Sequence, residues 1–228
     1  MHLYYNVMSA PQPLGLMFVA ATERGVRHLQ FMDGRSLKRV LADLAPSEPG
    51  ATWEMSVERL RPVSEVLEQW FVGGEKELRL PLDVAGTDFQ REVWRRLVAI
   101  PFGETRSYGD IARQIGQPTA ARAVGLAVNQ NPVLIVIPCH RVIGADGKLV
   151  GYSGGLARKR ELLDLERRFH TMGPIDGDRV IEEATVKPAA ARAAKAPTKP
   201  ATKAAAGARR PATKKAAKPA TRTPRRAD

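Results

Sequence analysis

Residues 131–142 read N-P-V-L-I-V-I-P-C-H-R-V and include Cys139, the one cysteine of the chain. The five apolar residues at 133–137 have the length and composition of a fully buried strand. Pro138 then removes a main-chain donor, and a central strand does not tolerate that loss. We therefore predict that a buried strand carries Cys139 to a fixed edge of the fold.

The two residues after Cys139 bear on whether its thiol is reactive. Unpaired cysteines are among the most buried residues, and most of them only pack. Here His140 and Arg141 follow directly. A histidine or a nearby cation lowers the pKa of a thiol and so populates the reactive thiolate. The local sequence alone gives the packing and the reactive interpretations equal weight.

The wider pattern is more specific. Asn-Pro at 131–132, four further residues, and Ile-Pro-Cys-His-Arg-Val at 137–142 resemble the active-site signature of the O6-alkylguanine-DNA alkyltransferases, also called methylated-DNA–protein-cysteine methyltransferases. Two upstream segments, F-Q-x-x-V-W from Phe89 and I-P-x-G-x-T-x-S-Y from Ile100, are similar to the start of that family's C-terminal domain. The resemblance extends from about residue 86 to residue 166. It implies DNA repair by direct transfer of an alkyl group from O6-alkylguanine to Cys139, with O4-alkylthymine as a second candidate substrate.

Composition limits the class of protein. A single cysteine excludes an internal disulfide and any multi-cysteine zinc site, and the four histidines are scattered. We therefore expect neither a metal nor a cofactor. The sequence contains nothing like a secretory signal peptide or a membrane-spanning apolar run. We expect a monomeric cytoplasmic protein, and its richness in Ala and Arg favours a bacterium.

The net charge of +12 is unevenly placed. Residues 187–228 carry 13 Lys and Arg but one acid, so they hold the whole excess, and they contain no aromatic residue. Such a segment cannot bury enough apolar surface to offset the entropy of ordering, so we predict a disordered tail. Its composition favours nonspecific binding to DNA phosphates, which would keep the protein on the nucleoid. The alternative is a solvated run of charge with no specific partner.

The predicted fold class is α+β, in three parts. Residues 1–81 form a small supporting α/β domain with antiparallel strands, residues 82–170 form a mainly helical domain with Cys139, and residues 171–228 form a linker and the tail. In the first part, residues 14–20 and 26–32 predict a hairpin. Apolar spacing predicts helices at 36–44 and 63–71, the second of which ends at Gly73-Gly74.

The second part has clear helix starts. Thr87 and Gln90 have capping-box spacing before a helix that runs to Pro101. Ser107 is a candidate cap for a helix that runs to Gly116, and Thr119 for another that runs to about residue 129. This pair is a helix-turn-helix pattern, which by itself is a weak signal of DNA binding. Asp146-Gly147 predicts a tight turn between two short strands, and a last helix is predicted at 156–168.

The resemblance assigns roles to residues of this chain. It places the helix that contains Arg122 in the minor groove, with Arg122 in the gap left by a flipped-out nucleotide, and it makes Asn131 a hinge. The loop 151–155 closes over the extruded base. The residues that contact DNA or the base would be Arg122, Asn131, Val142, Tyr152 and Ser153. Tyr108 and Ser153 would donate hydrogen bonds to the leaving guanine.

The resemblance also implies a proton relay. Neighbouring residues of an extended chain point to opposite faces, so His140 would not reach the Cys139 sulfur directly. In the family a water molecule bridges the matched histidine to the thiol, and the carboxylate that matches Glu166 orients the histidine. Without the resemblance, Glu166 is better explained as a solvated helix carboxylate. The product, an S-alkylcysteine, is a thioether with no easy hydrolytic exit, so each molecule would act once.

Two other functions are consistent with parts of this sequence. One is a nucleoid or lesion-binding protein with an inert thiol; alkyltransferase-like proteins of that kind have tryptophan where this chain has Cys139. The other is a cysteine hydrolase that uses Cys139, His140 and Glu166. Such enzymes bring Cys and His together from separate segments, which argues against the hydrolase.

Overall fold

The structure is a computed structural model that describes residues 1–171. Its first part is a four-stranded sheet with the order β3-β2-β1-β4, in which β1 pairs antiparallel with β2 and parallel with β4. The strands are β1 (His2–Ala10), β2 (Gly15–Thr22), β3 (Gly25–Phe31) and β4 (Thr52–Met55). The predicted hairpin is confirmed as β2 and β3, whereas β1 and β4 had not been predicted. The predicted linker and basic tail lie beyond residue 171, outside the described residues.

The sheet has an apolar layer on each face, because successive side chains of a strand point to opposite sides. Phe18 and Ala20 pack under α1 (Leu37–Leu44), whose Val40 is fully buried. Met17, Val19 and Ala21 face the other way, into a larger core. Helix α2 (Val57–Phe71) supplies that core with residues 60, 63, 67, 70 and 71.

The two helices of this part differ in how well they had been predicted. Helix α1 starts one residue after its cap, Ser36, whose hydroxyl accepts from the Arg39 amide, and the prediction is confirmed. Helix α2 begins at Val57 rather than at residue 63, because Ser56 caps it and the helix continues through Pro62. It ends as predicted, and Gly73 takes the left-handed backbone (φ 77°).

The second part is helical. Its helices are α3 (Asp88–Val98), α4 (Tyr108–Gln114), α5 (Ala121–Asn129) and α6 (Leu156–Thr171), and two short strands, β5 (Arg106–Ser107) and β6 (Val142–Ile143), pair in parallel. The predicted capping boxes at Thr87 and Ser107 are both formed. Helix α5 begins after Ala120 without a side-chain cap, so the prediction of Thr119 as its cap was wrong.

The segment before Cys139 is buried but is not a strand. Val133 to Ile137 are at most 6% exposed, yet the chain bends at Ile135, which has a φ of 71°. Such a backbone is unusual for a β-branched residue and persists only where the surroundings impose it. The imposing contact is with strand β3, because the Leu29 amide donates to the Pro132 carbonyl (2.9 Å) and the Leu134 amide donates to the Leu29 carbonyl (2.8 Å).

Cys139 therefore lies in a 3₁₀ turn, Cys139–Arg141, rather than at a strand end. The Asp146-Gly147 turn is formed, closed by a bond from the Gly144 amide to the Lys148 carbonyl (2.9 Å). The two strands predicted around it are absent, since β6 pairs with β5 instead. Among residues 1–171, no helix is long and apolar enough to cross a membrane.

Candidate active site

The thiol of Cys139 is held by Asn131. Cys139 is 1% exposed, and the Asn131 Nδ2 atom donates to its Sγ (3.0 Å) and to the Ile137 carbonyl (2.7 Å). The Asn131 Oδ1 atom accepts from the Val133 amide (2.9 Å). Asn131 therefore closes the bent segment on itself and aims one donor at the sulfur. Sequence reasoning had made Asn131 a hinge and a DNA- or base-contacting residue, and it had not predicted this contact with the thiol.

The resting thiol is protonated. Burial raises the pKa of Cys139 to about 11, and the Asn131 hydrogen bond and the Lys159 charge, which both favour the thiolate, oppose burial only in part. The cation of Arg141, next to the thiol in sequence, does not contribute to this shift because it is paired with Glu166. Attack by a thiolate at this site therefore requires a base that removes the proton at the time of reaction.

A buried cluster of His140, Arg141 and Glu166 contains an imidazole that can act as such a base. The His140 Nε2 atom donates to the Glu166 carboxylate (2.8 Å), and Arg141 donates to both carboxylate oxygens (2.8 to 3.0 Å). The Gly103 amide adds a further bond (3.0 Å). His140 and Glu166 are both 0% exposed. Glu166 is thus no solvated carboxylate, and the predicted His140–Glu166 pair is formed.

The protonation states in this cluster follow from its geometry. Although burial opposes ionisation, the neighbouring His140 and Arg141 hold the pKa of Glu166 down at about 2, so the carboxylate is ionised at neutral pH. Burial lowers the pKa of His140, so its imidazole is neutral. Because Glu166 can only accept, Nε2 carries the imidazole proton and Nδ1 is a bare acceptor. Nδ1 has no partner among the described residues.

Lys159 is a site residue that sequence reasoning missed. It is 0% exposed, and its ammonium donates to the carbonyls of Val142 (2.5 Å), Val150 (2.8 Å) and Gly151 (3.0 Å). Burial lowers the pKa of Lys159 to about 8, which leaves it charged at pH 7. A signal was present, because Lys159, Leu162 and Glu166 follow the i, i+3, i+7 spacing of one buried helix face.

Two tyrosines lie close enough to the thiol for Cys139 to affect their pKa values. Tyr108, at the start of α4, is half-buried and donates to the Val150 carbonyl (3.0 Å). The hydroxyl oxygen of Tyr152 is buried and has no partner among residues 1–171. Burial, and in second place the nearby Cys139, raise the pKa of both phenols, so both remain donors at neutral pH.

The other residues predicted to contact DNA or the base differ in exposure. Ser153 is exposed and lines a cleft of about 390 Å³ together with Asn131. Arg122 is exposed on α5, whose opposite face buries Val124, Ala127 and Val128. Val142 is fully buried, and its predicted contact with DNA or the base stays a prediction. The structure thus brings Cys139, His140, Glu166, Asn131 and the two tyrosines together and leaves Arg122 on an outer surface.

Comparisons with a family model, with sequence relatives and with solved structures all identify the same family. The model of the 6-O-methylguanine DNA methyltransferase DNA-binding domain matches residues 88–168. A methylated-DNA–protein-cysteine methyltransferase of Methanosarcina barkeri is 44% identical over 164 residues, which cover 72% of this chain and 97% of that protein. The Mycobacterium tuberculosis protein of the same name is 54% identical over 121 residues, which cover 53% of this chain and 73% of that protein.

Solved structures agree with the sequence relatives. A crystal structure of the M. tuberculosis O6-methylguanine methyltransferase superposes with a TM-score of 0.64 at 40% identity and covers 76% of this chain and 96% of that one. The crystal structure of the M. tuberculosis protein in complex with DNA has a TM-score of 0.62 at 42% identity, and the match covers 73% of this chain and 94% of that one. The chain belongs to the methylated-DNA–protein-cysteine methyltransferase family.

Proposed function

We propose that this protein repairs O6-alkylguanine in duplex DNA by moving the alkyl group onto Cys139 in a single, irreversible turnover. One observation carries the proposal. The buried, protonated thiol of Cys139 is followed by a neutral histidine, His140, whose Nε2 atom is hydrogen-bonded to the ionised carboxylate of Glu166. This arrangement fits a thiol that is deprotonated only when a substrate is present. O4-alkylthymine is a further candidate substrate for the same thiol.

Removal of the thiol proton starts the reaction. His140 Nδ1 takes the proton through one water molecule, and the imidazolium that forms is paired with Glu166. The thiolate attacks the alkyl carbon, the bond from that carbon to O6 breaks, and its electron pair leaves with guanine. Sulfur suits this step because it is polarisable and intrinsically nucleophilic. The resulting thioether is stable, so the protein is both catalyst and acceptor.

The leaving guanine needs a donor as charge develops on it. Tyr108 already places a hydroxyl in the site and would exchange its Val150 bond for one to the base. Ser153 would donate to O6 from the loop, and Tyr152 lies on the same loop. Lys159 donates to the Val142 carbonyl and to the carbonyls of Val150 and Gly151, where the loop begins. These three bonds restrict the position of the loop and so of Tyr152 and Ser153.

Access to O6 requires the nucleotide to leave the base stack, which costs a few kcal/mol. Helix α5 suits a close approach to DNA, because residues 121–129 contain four small side chains and a single charged one, Arg122. Arg122 would fill the gap in the stack and offset part of the cost of extrusion. The partner is therefore double-stranded DNA that contains O6-methylguanine, which a cytoplasmic, nucleoid-associated monomer would meet directly.

The proposal is tested by the intact mass of the protein after incubation with a duplex that contains O6-methylguanine, followed by peptide mapping. We expect one added methyl group on the peptide with Cys139 and no more than one repaired base per protein molecule. If the protein bound the DNA but its mass stayed unchanged, it would be a lesion-binding protein. Turnover on an ester that depends on Cys139 would instead identify a hydrolase.

The basic tail has a test of its own. We infer that residues 187–228 bind DNA phosphates without sequence preference, since they hold the whole net charge of +12. Removal of these residues should weaken DNA association and reduce the slope of log affinity against log salt, while methyl transfer at saturating DNA stays unchanged. Titrations of both chains between 50 and 200 mM salt, roughly the range over which phosphate contacts lose most affinity, measure this. Equal slopes would contradict the inference.

A further inference from the structure

The N-terminal part of the chain contributes an aromatic side chain to the site. Trp70 lies in the last turn of α2 and is 0% exposed. Its indole meets the His140 imidazole at 6.1 Å between ring centroids, with the planes at 72°, and meets Phe102 at 6.0 Å. A residue of the sheet-bearing part is thus a direct neighbour of the proposed base.

Two polar atoms of this ring pair have no hydrogen-bond partner within residues 1–171. They are the Trp70 Nε1 atom and the His140 Nδ1 atom, and both are buried. Buried polar groups are nearly always satisfied, so each such atom needs an explanation. An indole nitrogen can only donate, whereas His140 Nδ1 can only accept when Nε2 donates to Glu166. The two atoms are therefore a complementary donor and acceptor.

We propose that Trp70 is a positioning residue whose indole N–H holds the water molecule through which His140 removes the Cys139 proton. This inference rests on the alkyl transfer proposed above. The water would accept from the indole with one lone pair and from the thiol with the other, and it would donate to His140 Nδ1. Those three partners lie within the range that buried waters normally have.

The proton balance closes around this water. It gains the thiol proton and passes one of its own protons to Nδ1, so it is unchanged at the end of the step. The charged groups that face His140 are Glu166 and Lys159 from α6 and Arg141 from its own turn. Trp70 adds no charge, so its effect comes through orientation of the water.

The test replaces Trp70 by phenylalanine in the full chain, which keeps an aromatic ring and removes the N–H. We expect methyl transfer from saturating duplex DNA to be about tenfold slower at pH 7, about the effect of one lost hydrogen bond. We also expect the transfer rate of Trp70→Phe to rise between pH 7 and 9, because a poorly relayed thiol depends on its own ionisation. Because Lys159 loses its charge near pH 8 in both proteins, the readout is the ratio of the variant rate to the wild-type rate, which should rise between pH 7 and 9. A purely structural defect would slow transfer equally at every pH.

The matched control is Trp53→Phe. Trp53 packs on the other face of the sheet, against Phe18 and Tyr5, and its replacement should leave transfer at the wild-type rate. A Trp70→Phe protein with wild-type rate and pH profile would overturn the inference. If the wild type itself transferred nothing, the alkyl-transfer proposal would fail instead.

A high-resolution crystal structure of the wild type decides the question independently of the variant's folding. A water within hydrogen-bond distance of both Trp70 Nε1 and His140 Nδ1 is the expected result. Density that leaves this position empty, or that connects the water to only one of the two atoms, would refute the role of Trp70.

Discussion

Replacement of Cys139 by serine is expected to abolish methyl transfer while DNA binding is retained. A serine hydroxyl is far less acidic than a thiol, so His140 cannot generate its anion, and oxygen is a weaker nucleophile at a methyl carbon. We expect a fall of at least roughly 10³-fold in the single-turnover rate, since the activated nucleophile is lost altogether. The change is nearly isosteric and the Asn131 donor can still reach the hydroxyl, so the fold should persist.

The measurement is the mass of Cys139→Ser after incubation with methylated duplex, beside its affinity for methylated and unmethylated DNA. The expected protein binds the lesion with wild-type affinity, within about twofold, and gains no mass. Methyl transfer to Cys139→Ser at more than a few per cent of the wild-type rate would contradict Cys139 as the acceptor. Loss of DNA affinity together with a lowered unfolding temperature would contradict the expectation that the substitution is structurally neutral.

The helices could be predicted because their signals are local. Thr87, Ser107 and Ser36 each stand at the start of an apolar periodicity, and each is a cap in the structure. Strand β1 gave a weak signal because its buried residues, Leu3, Met8 and Ala10, interrupt strict alternation. Its position is set by β2 and β4 on either side of it, which a single segment does not reveal.

The segment before Cys139 failed as a strand for a related reason. Five apolar residues indicate burial, and burial is what the structure has. The bend at Ile135 depends on Leu29, more than a hundred residues away, whose main chain binds Pro132 and Leu134. Tertiary pairing thus overrode a local preference for extended chain. Cys139 and His140 lie in a 3₁₀ turn, so the argument that neighbouring residues of a strand point to opposite faces does not apply to them.

Within the site, the resemblance located Cys139, His140 and Glu166, but their electrostatics required the three-dimensional arrangement. The cation of Arg141 is beside the thiol in sequence, yet it binds Glu166 and the Ile100 carbonyl (2.6 Å). Lys159, twenty residues from Cys139, is the cation that acts on the sulfur. Sequence neighbours of a thiol therefore do not determine its pKa; buried neighbours do.

Replacement of Glu166 by glutamine should have the second-largest effect, on both rate and stability. The carboxylate accepts from His140, Arg141 and Gly103 inside the protein, so its neutralisation leaves the Arg141 cation buried without a counter-charge. Loss of one member of a buried ion pair costs about 3 kcal/mol or more of unfolding free energy. Urea unfolding at pH 7 measures this cost.

The rate should fall because a neutral amide cannot pair with the imidazolium that forms when His140 takes the thiol proton. Loss of the opposite charge beside His140 makes the imidazole a weaker base. General-base catalysis contributes about 10² to 10⁴, and we expect a loss within that range. DNA affinity should stay unchanged, because no part of Glu166 is exposed.

The pH dependence of stability gives a further test of the same substitution. The pKa of Glu166 is about 2 in the folded protein, below its ordinary 4.5. Its stabilising contribution is therefore complete above pH 4.5 and is lost as the pH falls towards 2. The gap in unfolding free energy between wild type and Glu166→Gln should be widest near pH 7 and should narrow below pH 4.5.

Asp164→Asn is the matched control on the same helix. Asp164 is about half exposed and pairs only with Arg167 among the described residues (3.3 Å), so its neutralisation should change stability by less than about 1 kcal/mol and leave the transfer rate alone. If Glu166→Gln behaved like Asp164→Asn, Glu166 would have no part in the base. If it lost stability but kept its transfer rate, the carboxylate would hold Arg141 in place without stabilising the His140 imidazolium, and the proton relay would need another counter-charge.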